Sequence, residues 1–190
     1  MLAELKGQTK LRAGIPPPPR NRRVALAALI VIVALPVLML TYLHAKMDIR
    51  PLPIGKTIPP INMITLSGKN FAFDSFRNNK TVLMIFSAEC PHCIRMLSVF
   101  EAMKEKYGKV LKFAALSISK PDTTMKLVSK TLVPFPVFLD KNNAAKKQFR
   151  ASLVPATFFI DSGLVLRDQL FGEVSEKVEE EAVKSLIVDK

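Results

Sequence analysis

The 190-residue chain has only two cysteines, and they stand three positions apart in Cys90-Pro91-His92-Cys93. A sulfur pair at that spacing can pass between dithiol and disulfide, and the flanking sequence suits that use. An apolar, β-forming run, Thr81 to Phe86, leads into the tetrapeptide. A helical pattern follows, with Ile94, Leu97, Phe100 or Glu101, and Met103 near one side. Cys90 therefore stands where a helix begins. There the unpaired N–H groups of the first turn, with the helix dipole, stabilise a thiolate. Pro91 suits the first helical position because its missing N–H would have had no partner there. His92, when protonated, is a further cationic neighbour for the sulfur. The pattern makes Cys90 the nucleophile and Cys93, one turn inside the helix, the resolving thiol.

Composition excludes several other chemistries. Two cysteines cannot make a disulfide-rich scaffold, and they supply half of a four-ligand zinc site. The only histidines are His92 and His44, the latter far along the chain. The site is therefore expected to need no metal and no organic cofactor beyond a redox-active Cys90–Cys93 disulfide. A rival use of the same sulfurs is Cu(I) handling, with Cys90, Cys93 and either His92 or a methionine as soft ligands. Of the eight methionines, Met84, Met96 and Met103 fall within apolar elements and read as core. A peroxidase is disfavoured, since the signal is a vicinal dithiol rather than a lone cysteine. The net charge is +12, and nine Lys/Arg against Glu4 and Asp48 place +7 of it in residues 1–56. Later lysines are scattered, Trp is absent and Tyr occurs twice, so no nucleic-acid partner is expected.

The elements around the cysteines divide into four stretches. Residues 1–23 form a basic, Pro-rich tail with Pro16–Pro19 and Arg20, Arg22 and Arg23. Val24 to Leu43 is a 20-residue run without a charge. As a helix it would span about 30 Å, the thickness of a bilayer's hydrocarbon core. The basic residues before it place the N-terminus in the cytoplasm and everything after Leu43 outside. A cleaved signal peptide is the competing reading. The run is long for one, and the small-x-small pattern is missing around Leu43-His44-Ala45. Residues 44–57, punctuated by Pro and Gly, read as a spacer. The folded domain is then expected over 58–190.

Within that domain, Ile61–Leu66 and Phe71–Phe73 around Ser67-Gly68-Lys69-Asn70 suggest a hairpin. Strands are expected at 81–86, 110–118, 135–140, 152–160 and 164–166. Helices are expected from the cysteines to Tyr107, over 123–131, over 144–149 and over 176–188. Strands alternating with helices and closed by a hairpin indicate an α/β sheet with helical cover.

Strand, Cys-x-x-Cys and helix, followed about 60 residues later by Val154-Pro155-Ala156-Thr157-Phe158-Phe159-Ile160-Asp161, resembles the thioredoxin superfamily. Within it the chain is similar to the membrane-anchored TlpA/ResA-type thiol–disulfide oxidoreductases, with their redoxin-type domain. Leu66–Phe71, Phe135–Asp140 and Asp161-Ser162-Gly163 match as well, and the likeness covers approximately residues 58–190. It implies a thioredoxin-like fold, a central mixed sheet flanked by helices with an N-terminal hairpin. It also implies that Pro155 is cis and faces the dithiol, and that Val154 backbone groups pair with an incoming peptide as an added strand. Partners would be thiol- or disulfide-containing protein substrates and an upstream redox protein.

Three positions depart from the family. Glu89 stands where an aromatic is usual, and a carboxylate there would oppose a thiolate on Cys90. Met84 and Met96 occupy the places where relatives carry a buried acid that moves protons. Glu89 reads as a solvated loop carboxylate ahead of a substitute for that acid. The resemblance implies a reductant, as in preparing apocytochrome cysteines for haem attachment. The Pro-His dipeptide is instead the one found in oxidising DsbA-type proteins, so the direction stays open.

Overall fold

The computed structural model describes residues 21–46, 51–151 and 153–188. Most of the basic tail, residues 47–50 of the spacer, Ser152 and the last two residues lie outside that description. Two compact units part at Lys46. The first contains α1 (Arg22–Lys46), with Val24–Leu43 as its apolar stretch. Apolar side chains are exposed on every side of it, Ile32 and Leu38 among them. Its length and composition fit a bilayer crossing. Pro36 lies within the helix without ending it. Membrane helices tolerate this, because freed backbone groups are satisfied locally.

The second unit is a seven-stranded sheet. Its strands are β1 (Asn62–Thr65), β2 (Asn70–Ala72), β3 (Thr81–Phe86), β4 (Lys112–Ser117), β5 (Val137–Leu139), β6 (Ala156–Ile160) and β7 (Leu166–Phe171). They lie in the order β2-β1-β5-β4-β3-β6-β7. Strands β3, β4 and β5 run parallel, and the hairpins β1–β2 and β6–β7 join them antiparallel. The helices are α2 (Pro91–Tyr107), α3 (Pro121–Thr131), α4 (Ala144–Gln148) and α5 (Glu176–Val188). This is the expected thioredoxin-like arrangement.

Every residue of β3 is buried, as its lack of polar alternation requires. Leu83 and Ile85 enter one core with Phe73, Phe76, Phe149 and Phe158. Val82, Met84 and Phe86 enter the other, beneath Phe100 and Met103 of α2 and Val183 and Leu186 of α5. Met96 joins this second core, so all three methionines read as core are there. The buried side of α2 is Cys93, Met96, Leu97, Phe100 and Met103, whereas Ile94 is 38% exposed. The face is thus registered on Cys93, one residue earlier than a periodicity begun at Ile94. At the far end, a Cβ on Gly108 would run into the Lys104 carbonyl oxygen, so glycine suits that close stop.

Several boundaries differ from expectation, with β6 beginning at Ala156 and α3 at Pro121, and two of the differences shape the sheet edge. The second half of the segment read as a spacer is docked on β7. Gly55 N–H donates to Leu166 O at 2.8 Å, Leu166 N–H to Lys56 O at 2.9 Å, and Ile58 N–H to Leu164 O at 2.8 Å. The Gln169 amide both donates to Leu52 O, at 2.6 Å, and accepts from Leu52 N–H, at 3.2 Å. This pairing covers an edge strand that would otherwise present free backbone groups. The second difference is β7 itself, which begins at Leu166 rather than Leu164 and runs on to Phe171. Asp161 Oδ1 accepts from the N–H groups of Gly163 and Val165, holding residues 161–165 in a turn. The strand then carries Arg167, Asp168 and Gln169, half-buried polar residues that hide an edge strand from a hydrophobicity pattern.

Candidate functional site

The buried strand β3 ends at Phe86, and four residues later the chain enters α2. Cys90 is the residue before the first helical turn, with extended backbone (φ −90°, ψ 116°), and Pro91 opens the helix. Both cysteines are free thiols; Cys90 is partly exposed and Cys93 is buried. Their environments push them in opposite directions. Partial burial raises the Cys90 thiol, but the N–H groups of Cys93 and His92, the Cys93 thiol and the charge of Arg95 outweigh it. Cys90 therefore ends below the ordinary thiol value. Burial pushes Cys93 up to about 12, with the Cys90 sulfur adding to the rise and the Ser87 N–H, 3.4 Å from Sγ, opposing it. One turn of helix thus separates a thiol that ionises readily from one that holds its proton.

The Val154–Pro155 bond is cis. The Val154 carbonyl oxygen lies 4.0 Å from Cys90 Sγ, which brings together the two motifs that the sequence keeps about 60 residues apart. A cleft of about 440 Å³ opens beside them, lined by His92, Val154, Pro155, Gly172 and Glu173. Gly172, at φ +82°, donates its N–H to Pro155 O at 2.8 Å, tying the end of β7 to the loop beneath the cleft. Glu173 follows directly.

The expected modulators are placed differently from one another. Pro91 is where its chemistry requires. Glu89 is exposed on the loop before α2, as expected of a solvated carboxylate, and it is also hydrogen-bonded. Oε2 accepts from Ser87 Oγ at 2.8 Å and from Ser119 Oγ, and these two hydroxyls, Ser119 foremost, hold its carboxyl below the usual range. Ser119 also accepts from Ala88 N–H at 2.8 Å, so the acid braces the turn into α2. The His92 imidazole is engaged elsewhere than at the sulfur. Nδ1 is 2.6 Å from Glu173 Oε2 and 2.9 Å from Arg95 Nη2. Its service to Cys90 comes through its backbone N–H, and the cationic neighbour of the thiolate is Arg95.

Three residues of the site were not foreseen. Arg95 and Glu173 form a two-pronged pair, Nε to Oε1 at 2.7 Å and Nη2 to Oε2 at 2.6 Å. Arg95 first, then His92, holds the Glu173 carboxyl down at about 2. The third is Glu179 of α5, fully buried, with neither carboxylate oxygen in hydrogen-bonding geometry to any of the described residues. Burial pushes it up to about 7; Thr157 tempers the rise and Asp168 adds to it. Thr157 is the register partner of Met84. A buried acid therefore does sit beside the strand position where the resemblance expects one, carried by α5 instead of β3. The signal was present in Glu179-x-x-Ala182-Val183-x-x-Leu186, which puts the glutamate on the helix's apolar side. Nothing local marks Glu173 as the partner of a residue 78 positions earlier.

Over 135 residues the chain is 25% identical to the thiol-disulfide oxidoreductase ResA of Bacillus cereus (strain ATCC 10987 / NRS 248), covering 70% of this chain and 78% of that protein. The ResA of Geobacillus kaustophilus (strain HTA426) is 19% identical over 170 residues, 88% of this chain and 98% of its own length. Among solved structures, a secreted Mycobacterium tuberculosis disulfide oxidoreductase homologous to E. coli DsbE superposes with a TM-score of 0.60. Its identity is 17%, and the match covers 66% of this chain and 95% of that one. StoA from Bacillus subtilis gives 0.57 at 16% identity, over 67% and 98%. At such identities the structural likeness speaks for the fold alone. Residues 54–169, which reach from the docked half of the spacer into β7 and include both cysteines and Pro155, match the AhpC/TSA family, and the chain belongs to it.

Proposed function

We propose that this protein is a membrane-anchored thiol–disulfide oxidoreductase that exchanges disulfides with protein substrates through Cys90 and Cys93. The catalytic unit lies outside the cytoplasmic membrane, and the basic N-terminus lies inside. The observation that carries the reading is the inequality of two neighbouring thiols. Cys90 is accessible and ionises readily at the start of α2, while Cys93 is buried, protonated and hydrogen-bonded to it.

In the reducing direction the Cys90 thiolate attacks one sulfur of a substrate disulfide. The other substrate sulfur leaves as a thiolate and takes up a proton, and a mixed disulfide remains. Cys93 then gives up its proton and attacks Cys90 Sγ. The Cys90–Cys93 disulfide closes, and the second substrate sulfur departs as a thiol. Two electrons have passed to the substrate, and an upstream dithiol protein restores the pair. Neither step calls on a metal or an organic cofactor. The Val154 backbone beside Cys90 suits an extended peptide laid along the cleft as an added strand. The apolar 20-residue α1 with arginines before it supports the anchor and its orientation. The relatives named ResA support protein disulfides as the substrate class and, through the family resemblance, the reduction of apocytochrome cysteines as the task.

The test is a pair of variants incubated with a disulfide-bonded protein. Cys93→Ser should accumulate a mixed disulfide that dithiothreitol releases, and Cys90→Ser should neither accumulate one nor turn over. Full turnover by Cys90→Ser would refute the assignment.

A further inference from the structure

We propose that Glu173 sets the reduction potential of the dithiol. It pairs with Arg95, and also engages the His92 imidazole, so that the guanidinium's positive charge is drawn away from the Cys90 sulfur; this keeps a Cys-Pro-His-Cys pair more reducing than its own residues would make it. The inference rests on Cys90 and Cys93 being the exchanging pair.

Three observations lead to it. First, one carboxylate engages two side chains of the first turns of α2: Arg95 with two prongs, at 2.7 and 2.6 Å, and His92 Nδ1 at 2.6 Å. A two-pronged guanidinium pair fixes direction as well as distance. Second, the carboxylate is anchored to the site's own framework. Gly172 donates to Pro155 O at 2.8 Å, so the loop that carries Glu173 is joined to the loop that faces Cys90. Third, Arg95 is shared between two anions. Its charge reaches the Cys90 sulfur, and its own guanidinium is raised first by Glu173 and less by Cys90.

Among the described residues, Glu173 is the carboxylate paired with Arg95. Glu89, on the loop before α2, is occupied by Ser87 and Ser119, and Cys93 keeps its proton.

The consequence for potential follows from which redox form carries charge. Oxidation by glutathione disulfide turns the Cys90 thiolate and the Cys93 thiol into the Cys90–Cys93 disulfide. Two electrons pass to glutathione disulfide, which leaves as one thiol, holding the Cys93 proton, and one thiolate. Only the reduced form contains the Cys90 anion. A cation left free near it stabilises that form and raises the potential, and a carboxylate that occupies the cation does the reverse.

The experiment equilibrates the full-length, detergent-solubilised chain with mixtures of reduced and oxidised glutathione. Glu173→Gln should lower the equilibrium constant for forming the protein disulfide by roughly threefold to tenfold, a rise in potential of about 14 to 30 mV for a two-electron couple. The Cys90 thiolate should also titrate at lower pH in this variant. Arg95→Gln should move both readings the opposite way, and Glu173→Asp should recover part of the wild-type value. Because these side chains are partly exposed, the difference between Glu173→Gln and wild type should shrink in about 1 M salt, where the screening length falls to roughly 3 Å. An unchanged constant in Glu173→Gln, or Glu173→Gln and Arg95→Gln shifting it in the same direction, overturns the proposal while leaving the exchange reading intact. A wild-type chain that forms no disulfide at any glutathione ratio overturns both.

Discussion

Cys90 and Cys93 share a helix turn yet titrate far apart, because one looks out at N–H groups and a guanidinium and the other looks into the core. Titration followed by thiolate absorbance should show one ionisation below the ordinary thiol value of about 8.5, lost in Cys90→Ser, with Cys93 silent until strongly alkaline pH. Glu179 supplies a second prediction. Its folded-state value is raised to about 7 by burial, above that of an unfolded glutamate. Between those values the native chain binds more protons than the unfolded one, so stability must fall as pH rises through that window. The loss amounts to about 3 kcal/mol once the carboxylate is forced to ionise. Urea unfolding at about pH 5 and pH 8 should show that decline in the wild type and a nearly flat profile in Glu179→Gln. Parallel pH profiles for the two proteins would remove the explanation. At this scale the cysteines and Pro91 were legible because their chemistry is written in local spacing, whereas Pro155 and Val154 came in through the family resemblance. Glu173 was not, because its meaning depends on a contact that only the closed sheet creates. His92 was legible as part of the site, but its side chain is diverted by that same carboxylate.

The elements were read from pattern, and they fail where the pattern is ambiguous. Strand β3 and helix α5 are unmistakable, one apolar throughout and the other amphipathic. Strand β7 is hidden by Arg167, Asp168 and Gln169, and the docking of residues 52–57 is hidden because an edge pairing through backbone groups leaves no hydrophobic signature. That docking should be measurable. Gln169→Ala removes both amide bonds to Leu52 and should cost about 1 to 2 kcal/mol in urea unfolding, with faster proteolysis after Lys56. Helix α2 packs on the sheet in part through Phe100, which is fully buried and edge-on to Phe113 and Phe135 at 5.2 and 5.0 Å. Phe100→Ala should cost about 3 to 5 kcal/mol by leaving a cavity under the helix, and the melting temperature should fall accordingly. A loss below about 1 kcal/mol would mean that the core closes over the gap.

At the scale of the whole chain, the proposed function divides location and chemistry between an apolar helix and a folded unit. Fractionation should find the full chain with the membrane, and protease added from outside should cleave the redox unit while sparing the basic tail. The charge imbalance between the ends of the apolar run is what favours that orientation. The burial of the second thiol has one more consequence when an oxidant meets the site. Peroxide can reach Cys90 and leave a sulfenic acid there. Cys93, directly beneath it, then condenses with that sulfur and expels water. The damage stops at a disulfide that a dithiol can reopen, short of the sulfinic and sulfonic states from which a cysteine does not return.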